Sequence, residues 1–270
     1  MLILAATPIG NLGDASPRLR EALENAAVIV SEDTRVTRSL LSALQISSSA
    51  RMVVSNEHSE RSVLDDVLTR AITEPVVVVS DAGMPTISDP GFVLVREARL
   101  RGVPVTVIPG PSSGISALAV SGLPTDRFVH EGFIPKKGRE NYFVQLAREP
   151  RTMVFFESPH RLAATLEEMA QAFGPDRPAC VVRELTKMFE EIAWGTLHEL
   201  AERFSGVVKG EIVIVVGGLP PGSMDLDTAV SLVKDALASG LSLSAAAAHV
   251  AKETGIPKRE LYQASLEATA

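Results

Sequence analysis

The chain has one cysteine, Cys180, in 270 residues. It cannot close an internal disulfide, and one thiol offers no metal framework. Within the apolar run ACVV it reads as a buried strand residue, because free cysteine behaves as a small hydrophobe. No set of histidines and cysteines has ligand spacing, so no metal site is expected. Long hydrophobic runs are missing as well. Nothing approaches the roughly 20 apolar residues of a membrane span, and the opening MLILAATPIG has no basic leader before its apolar stretch. A soluble cytoplasmic protein is expected. Nor is there a basic excess: 26 Lys and Arg face 33 Asp and Glu, a net charge of -7. A protein living on nonspecific phosphate contacts is normally basic. Any nucleic-acid partner must therefore meet a local basic patch or a shaped site. The GxGxxG and GxxxxGK[ST] fingerprints are absent too, which removes the usual dinucleotide and P-loop cradles.

What is present is a sizeable core: 46% of the residues are apolar, enough for two ordinary α/β domains or one large one. Short β-branched runs (LILAA, AVIVS, RMVVS, VVVVS and VPVTVI) alternate with helical periods over about Pro17–Asn25, Arg35–Leu44, Glu60–Thr73 and Pro90–Arg101. Continuous apolar strands separated by helices indicate a mostly parallel sheet covered on both faces. Ser16-Pro17, Asp89-Pro90 and Ser158-Pro159 each place a capping residue before a proline suited to the first helical position. Ser112 and Ser113 follow Gly110-Pro111 and are expected to cap the next helix. After residue 115 the strands become RFVHEGF, TMVFFES, ACVVREL, FEEIAWG and EIVIVVGG. Only Thr186-Lys187-Met188 separates the third and fourth of these, which suggests a hairpin and a mixed sheet.

The expected fold class is α/β, with a first domain over 1–114 and a second over 115–218. A Gly/Pro-rich linker over 217–222 leads to a helical tail over 225–270. Asp225 and Asp227 open that tail, and Gly255-Ile256-Pro257 breaks its second helix. It reads either as a helix-turn-helix or as a three-helix cap that packs on a domain or a second subunit. Lys252, Lys258 and Arg259 are too few to decide for RNA.

Polar, Gly-containing segments follow each strand of the first domain: TPIGNLGD, SEDTR, NEHSER, SDAGMPTISDPG and PGPSSG. In open parallel sheets ligands bind at this carboxyl edge, so the five segments outline one site. Asp89 reads as a helix cap. Asp81, at the end of VVVVS, has no such structural duty and can face a ligand. In SEDTR, Asp33 or Thr34 can cap a helix while Arg35 pairs with a carboxylate.

TPIGNLGD, SEDTR, SDAGMPTISDPG and PGPSS, in this order, resemble the tetrapyrrole-methylase-like superfamily. More narrowly, they are similar to the branch that methylates a cytidine ribose 2′-hydroxyl of small-subunit ribosomal RNA. MVFFESPHR, VVRELTK, KGEIVIVV and the helical tail fit as well, so the likeness spans nearly the whole chain. The resemblance implies a cleft between the two domains holding S-adenosylmethionine, a homodimer, and the small ribosomal subunit at its decoding centre as partner. By position it implies cofactor contacts from Pro8, Ile9, Asp81, Ala82, Gly83, Met84, Ser112 and Ser113. From the second domain it implies Phe156, Leu185, Glu211 and Ile212, with Glu184 beside them.

The chemistry of the residues agrees. Helix-start N–H groups suit the cofactor's carboxylate, and Asp81 suits its positive groups. Ala82 and Gly83 permit close backbone approach, and Met84 and Phe156 can line an adenine slot; Phe156 reads equally as a core aromatic. A ribose hydroxyl needs a base or a strong acceptor. His58 and Glu184 are the catalytic candidates, with Glu57, Glu32 and Glu157 behind them; His58 reads equally as an exposed loop residue. Lys187 serves only with a depressed pKa. For RNA, Lys136, Lys137 and Arg139 form the clearest basic run, and Arg161 is a further candidate; a solvated loop is the alternative. Two other functions stay open, a small-molecule methyltransferase acting on a tetrapyrrole and a non-enzymatic ribosome-associated protein.

Overall fold

The computed structural model describes residues 1–55, 60–220 and 226–268. Five strands form the first sheet: β1 (Leu2–Ala5), β2 (Val28–Ser31), β3 (Arg51–Val54), β4 (Val76–Val78) and β5 (Val105–Ile108). Their order is β3-β2-β4-β1-β5, and every pairing is parallel. The helices between them are α1 (Pro17–Asn25), α2 (Thr34–Ala43), α3 (Glu60–Thr73) and α4 (Phe92–Leu100), and α5 (Ser113–Val120) follows β5. The strands are apolar at successive positions because both faces are covered. Leu2, Val28, Val30, Val76 and Val78 pack with Leu68 of α3 and Leu94 of α4. Their alternates Ile3, Ile29 and Val77 pack with Leu19 and Leu23 of α1 and Leu41 of α2.

The second sheet has the order β6-β7-β10-β8-β9. Its strands are β6 (Phe128–Phe133), β7 (Thr152–Glu157), β8 (Pro178–Arg183), β9 (Glu191–Thr196) and β10 (Ile212–Val216). β6 and β7 are parallel, with a bulge between His130 and Gly132; β8 and β9 are neighbours, as the short connection suggested. The intervening helices are α6 (Arg139–Leu146), α7 (Leu162–Phe173) and α8 (Leu197–Arg203). Cys180 is buried in β8, where desolvation pushes its thiol up to about 11. The tail is three helices, α9 (Leu226–Ala238), α10 (Leu243–Thr254) and α11 (Lys258–Glu267). They enclose a small core of their own around Val233, Ala247, Val250 and Leu261. No described helix is long and apolar enough to cross a membrane.

Two compact units emerge. One comprises Met1–Val120 together with Val181–Ile192 and Lys209–Val213; the other comprises Ser121–Cys180, Ala193–Val208 and Ile214–Ala270. The β8–β9 loop and the start of β10 thus belong with the first sheet.

Helix starts follow the proline rule only in part. Ser16 caps α1, accepting from Leu19 N–H, with Pro17 in the first turn. Neither Asp89 nor Ser158 caps a helix. α4 begins at Phe92 behind Gly91, whose φ of 116° is incompatible with a helical turn already under way at Pro90. α7 begins at Leu162 behind Arg161, without a side-chain cap. The expected Pro90–Arg101 helix is correspondingly shorter.

Candidate functional site

The carboxyl edge of the first sheet is tied together by its own loops. Thr7, just after β1, forms an antiparallel bridge with Gly83 in the loop after β4. Each N–H donates to the other's carbonyl, at 2.9 and 3.1 Å. The Ser80 hydroxyl donates to the Gly83 carbonyl at 3.1 Å. Gly83 has φ 83°, and a Cβ there would lie 3.3 Å from Ile9 Cγ2 and 3.6 Å from the Pro111 carbonyl oxygen. The loops after β1, β4 and β5 therefore converge on Gly83, where a branched side chain would push them apart. The loop after β4 also holds Thr86 and Ser88 at φ 77° and 62°. Left-handed backbone at a β-branched residue is costly, and such positions concentrate at ligand sites.

Two carboxylates stand on this loop. Asp81 is exposed, and its Oδ1 accepts the Asp33 N–H at 3.3 Å. Its pKa is raised, first by desolvation and then by the neighbouring Asp33, against the pull of the Asp33 N–H. Asp89 is more perturbed. Burial lifts it to about 6; a hydrogen bond with Ser80 opposes the shift and the charge of Asp81 adds to it. Sequence reasoning missed Asp89 by treating it as a cap. The available signal was Gly91, two residues on, which argues against a helix beginning at Pro90. Asp33, by contrast, is held low at about 2, chiefly by its side-chain hydrogen bonds with Arg35. It caps α2 by accepting the Arg35 N–H at 2.8 Å, so the structural explanation offered for SEDTR holds.

The β8–β9 loop packs on the β1 loop. A Cβ at Gly10 would sit 2.4 Å from Lys187 Cγ and 2.9 Å from Thr186 Oγ1. Glu184 Oε1 accepts the Lys187 ammonium and the Glu211 N–H, both at 2.9 Å. The Glu211 N–H and then Lys187 keep the Glu184 carboxyl below its ordinary range, so it is a poor proton acceptor. Lys187 also reaches Glu211 at 3.1 Å. Desolvation pulls its pKa down, but the two carboxylates outweigh that and raise it. The depressed pKa that a basic Lys187 would need is absent. Glu184, Leu185, Glu211 and Ile212 accordingly share one compact unit with Pro8, Ile9, Ala82, Met84, Ser112 and Ser113. Ser113 is the first residue of α5, and the Ser112 carbonyl accepts the Ser116 N–H at 2.9 Å.

Other candidates stand elsewhere. His58 and Glu57 lie outside the described residues. Phe156, on β7 of the second unit, is half-buried with its ring 4.9 Å from His130 and 5.2 Å from Phe133. His130, which sequence reasoning passed over, has its pKa lowered by burial against the opposing charge of Glu131. Glu157 is buried and occupied: its carboxylate accepts Ser158 N–H, Thr165 hydroxyl and Arg161, at 2.6, 2.6 and 2.5 Å. Arg161 also donates to the Ile134 carbonyl at 3.1 Å. Arg139 is paired as well, with Glu168 at 2.9 Å and the Thr165 hydroxyl at 2.6 Å. Lys136 and Lys137 are exposed. No cluster of potential metal ligands occurs among the described residues.

Against this geometry, the family model for Tetrapyrrole (Corrin/Porphyrin) Methylases matches residues 1–201. A second, for the RsmI C-terminal HTH domain, matches residues 225–269. The chain is 45% identical to the ribosomal RNA small subunit methyltransferase I of Mycobacterium tuberculosis (strain CDC 1551 / Oshkosh), covering 98% of this chain and 94% of that protein. It is 44% identical to the protein of the same name from Xylella fastidiosa (strain Temecula1 / ATCC 700964), covering 97% of each. Among solved structures, diphthine synthase superposes with a TM-score of 0.61 at 17% identity, over 80% of this chain and 89% of that one. A uroporphyrin-III C-methyl transferase from Thermus thermophilus, complexed with S-adenyl homocysteine, gives 0.52 at 23%, over 80% and 96%.

Proposed function

The chain belongs to the tetrapyrrole methylase family, in the branch of the ribosomal RNA small subunit methyltransferases I, and from that membership we propose that it transfers a methyl group from S-adenosylmethionine to a ribose 2′-hydroxyl of a cytidine in small-subunit ribosomal RNA. The observation that carries RNA over a tetrapyrrole is the tail. The near full-length ribosomal relatives include it, and α9–α11 fall within the C-terminal module matched over 225–269. The cofactor fits the carboxyl edge. Gly83 leaves a cradle that a Cβ would fill, with Ile9 packed behind it, Met84 supplies partly exposed apolar surface, and Asp81 offers a carboxylate to positive groups. When bound, S-adenosylmethionine supplies a methyl group on a cationic sulfur.

The chain's own residues do the rest. The bridged loops of Thr7 and Gly83 hold the edge rigid, which favours alignment of the hydroxyl with the methyl carbon. Such alignment is worth up to roughly 7–11 kcal/mol. Asp89, at about 6, is the acceptor best matched to a proton released near neutral pH. It takes that role in place of Glu184, whose carboxylate is committed to Lys187 and Glu211. Lys136 and Lys137, exposed on the second unit, meet phosphate. The protein works as a cytoplasmic homodimer on assembled subunits, since a net charge of -7 disfavours tight binding to free RNA. The test is methyl transfer from labelled cofactor to purified small subunits, to protein-free RNA and to a tetrapyrrole precursor. Transfer to the precursor alone would replace this function, and equal transfer to free RNA would remove the argument from charge.

A further inference from the structure

Ser80 follows β4 by two residues and is 4% exposed. Its hydroxyl meets three acceptors: the Gly83 carbonyl at 3.1 Å, the Ala82 carbonyl at 3.3 Å and the Asp89 carboxyl group. A hydroxyl has one hydrogen to give and two lone pairs to receive with. It cannot donate to all three at once, and burial keeps solvent from making up the difference. The Gly83 carbonyl can be released at little cost, since it also accepts the Thr7 N–H at 2.9 Å. The Ser80 backbone itself is fixed: its carbonyl accepts the Thr7 hydroxyl at 3.3 Å, and Thr7 is bridged to Gly83. What can change is the direction of the O–H bond. With Asp89 protonated, the carboxyl donates to Ser80 Oγ and Ser80 donates to Gly83. With Asp89 ionised, the hydroxyl turns to the carboxylate, because a hydrogen bond to an anion is roughly twice as strong as one to a neutral acceptor. Neither state strands the hydroxyl. The charged neighbours offer no substitute for it. Asp81 repels the Asp89 charge, and Asp33 lies beyond Asp81, already paired with Arg35. Among the described residues, Ser80 is the group that favours the Asp89 anion.

We infer that Ser80 is a positioning residue, whose hydroxyl turns from the Gly83 carbonyl to the Asp89 carboxylate and holds that carboxylate ready for the proton of the substrate hydroxyl. This rests on the acceptor role proposed for Asp89 above. Ser80 keeps its own hydrogen throughout: the O–H bond that breaks is the substrate's, and its proton goes to Asp89. Because Gly83 also forms the cofactor cradle, one buried hydroxyl joins the cradle to the proton acceptor.

The test is single-turnover methylation of purified small subunits from pH 5 to pH 9 by wild type, Ser80→Ala, Ser80→Thr, Asp89→Asn and the double variant Ser80→Ala/Asp89→Asn. Ser80→Ala removes the bond that favours the anion, so the acid limb of its pH–rate profile should move up by about 1 to 2 pH units, the size of a hydrogen bond to a charged group. Its rate should be about two- to tenfold low at pH 7 and close to wild type at pH 9. Ser80→Thr, which keeps the hydroxyl, should keep the wild-type profile. In the Asp89→Asn background Ser80→Ala should cost nothing further, because the two side chains act as one unit. A Ser80→Ala profile that is lowered at every pH without shifting, or a loss that persists in the Asp89→Asn background, would make Ser80 a brace of the loop and overturn the inference. An unshifted, fully active Ser80→Ala beside an impaired Asp89→Asn would overturn it while leaving Asp89 as the acceptor. A fully active Asp89→Asn would remove the acceptor and the inference together.

Discussion

Replacing Asp89 by Asn should stabilise the protein while impairing the reaction. In the folded chain burial holds the Asp89 carboxyl at about 6, against an ordinary 3.8. The folded state therefore binds this proton more tightly than the unfolded state does. Below about pH 4 both forms are protonated and the site costs nothing. Between there and about pH 6 stability falls as pH rises, and above pH 6 the cost is fully present. At ~1.4 kcal/mol per pH unit the gap corresponds to about 3 kcal/mol. Water reaching a partly exposed side chain reduces that to about 2 kcal/mol. Asparagine keeps a polar group beside Ser80 and removes the charge. Urea unfolding of wild type and Asp89→Asn from pH 4 to pH 8 should show midpoints that coincide at the acid end and separate towards pH 7. Methyl transfer by the variant should fall by about two orders of magnitude or more, in line with loss of a proton acceptor. Wild-type transfer should itself decline as pH drops below about 6. Coincident midpoints at pH 7.5, or a separation independent of pH, would refute the burial argument; a fully active variant would remove Asp89 from the chemistry.

Asp81→Ala and Gly83→Val should each weaken S-adenosylmethionine binding at least tenfold in chelator-treated protein; calorimetric titration matching wild type for both would displace the site. Lys136→Ala with Lys137→Ala should lower methylation of subunits without altering cofactor affinity. Arg139→Ala should instead unfold earlier, by about 1–2 kcal/mol, because it leaves Glu168 without its cation and takes a donor from the Thr165 hydroxyl; a purely catalytic effect would contradict that pairing. Gly210→Ala combines a φ of 99° with a Cβ 2.4 Å from Glu184 Cγ, and should lose about 2 kcal/mol in thermal unfolding; wild-type stability would mean that Glu184 is free to move. The protein should run as a dimer in light scattering at micromolar concentration, and a monomeric mass would dismiss that assembly.

The strands were legible because parallel sheets bury both faces. AVIV and VVVV are apolar at every position, and Val28 to Val30 and Val76 to Val78 indeed divide between two cores. Ser16-Pro17 announced α1 for local reasons. The same dipeptide logic failed at Asp89-Pro90, since a positive φ at Gly91 overrides a favourable cap. Asp81 could be singled out by its place at a strand end, a local property. The roles of Glu184 and Lys187 could not, because they depend on Glu211, far along the chain, and on the left-handed turn between them. Arg139 looked like part of a basic run until Glu168 of α7 came to lie beside it.

The membership of Val181–Ile192 and Lys209–Val213 in the first compact unit bears on how the protein is made. A nascent chain released only as far as Val120 carries all five strands of the first sheet, yet lacks the turn that braces Gly10. Closing that long loop is an entropic step that nothing emitted earlier can perform. During synthesis the carboxyl edge of the sheet therefore waits, with its glycine-lined loops unsupported, until residue 213 has cleared the exit tunnel. Cofactor binding should accordingly be acquired late and all at once, so that unfinished chains do not hold S-adenosylmethionine.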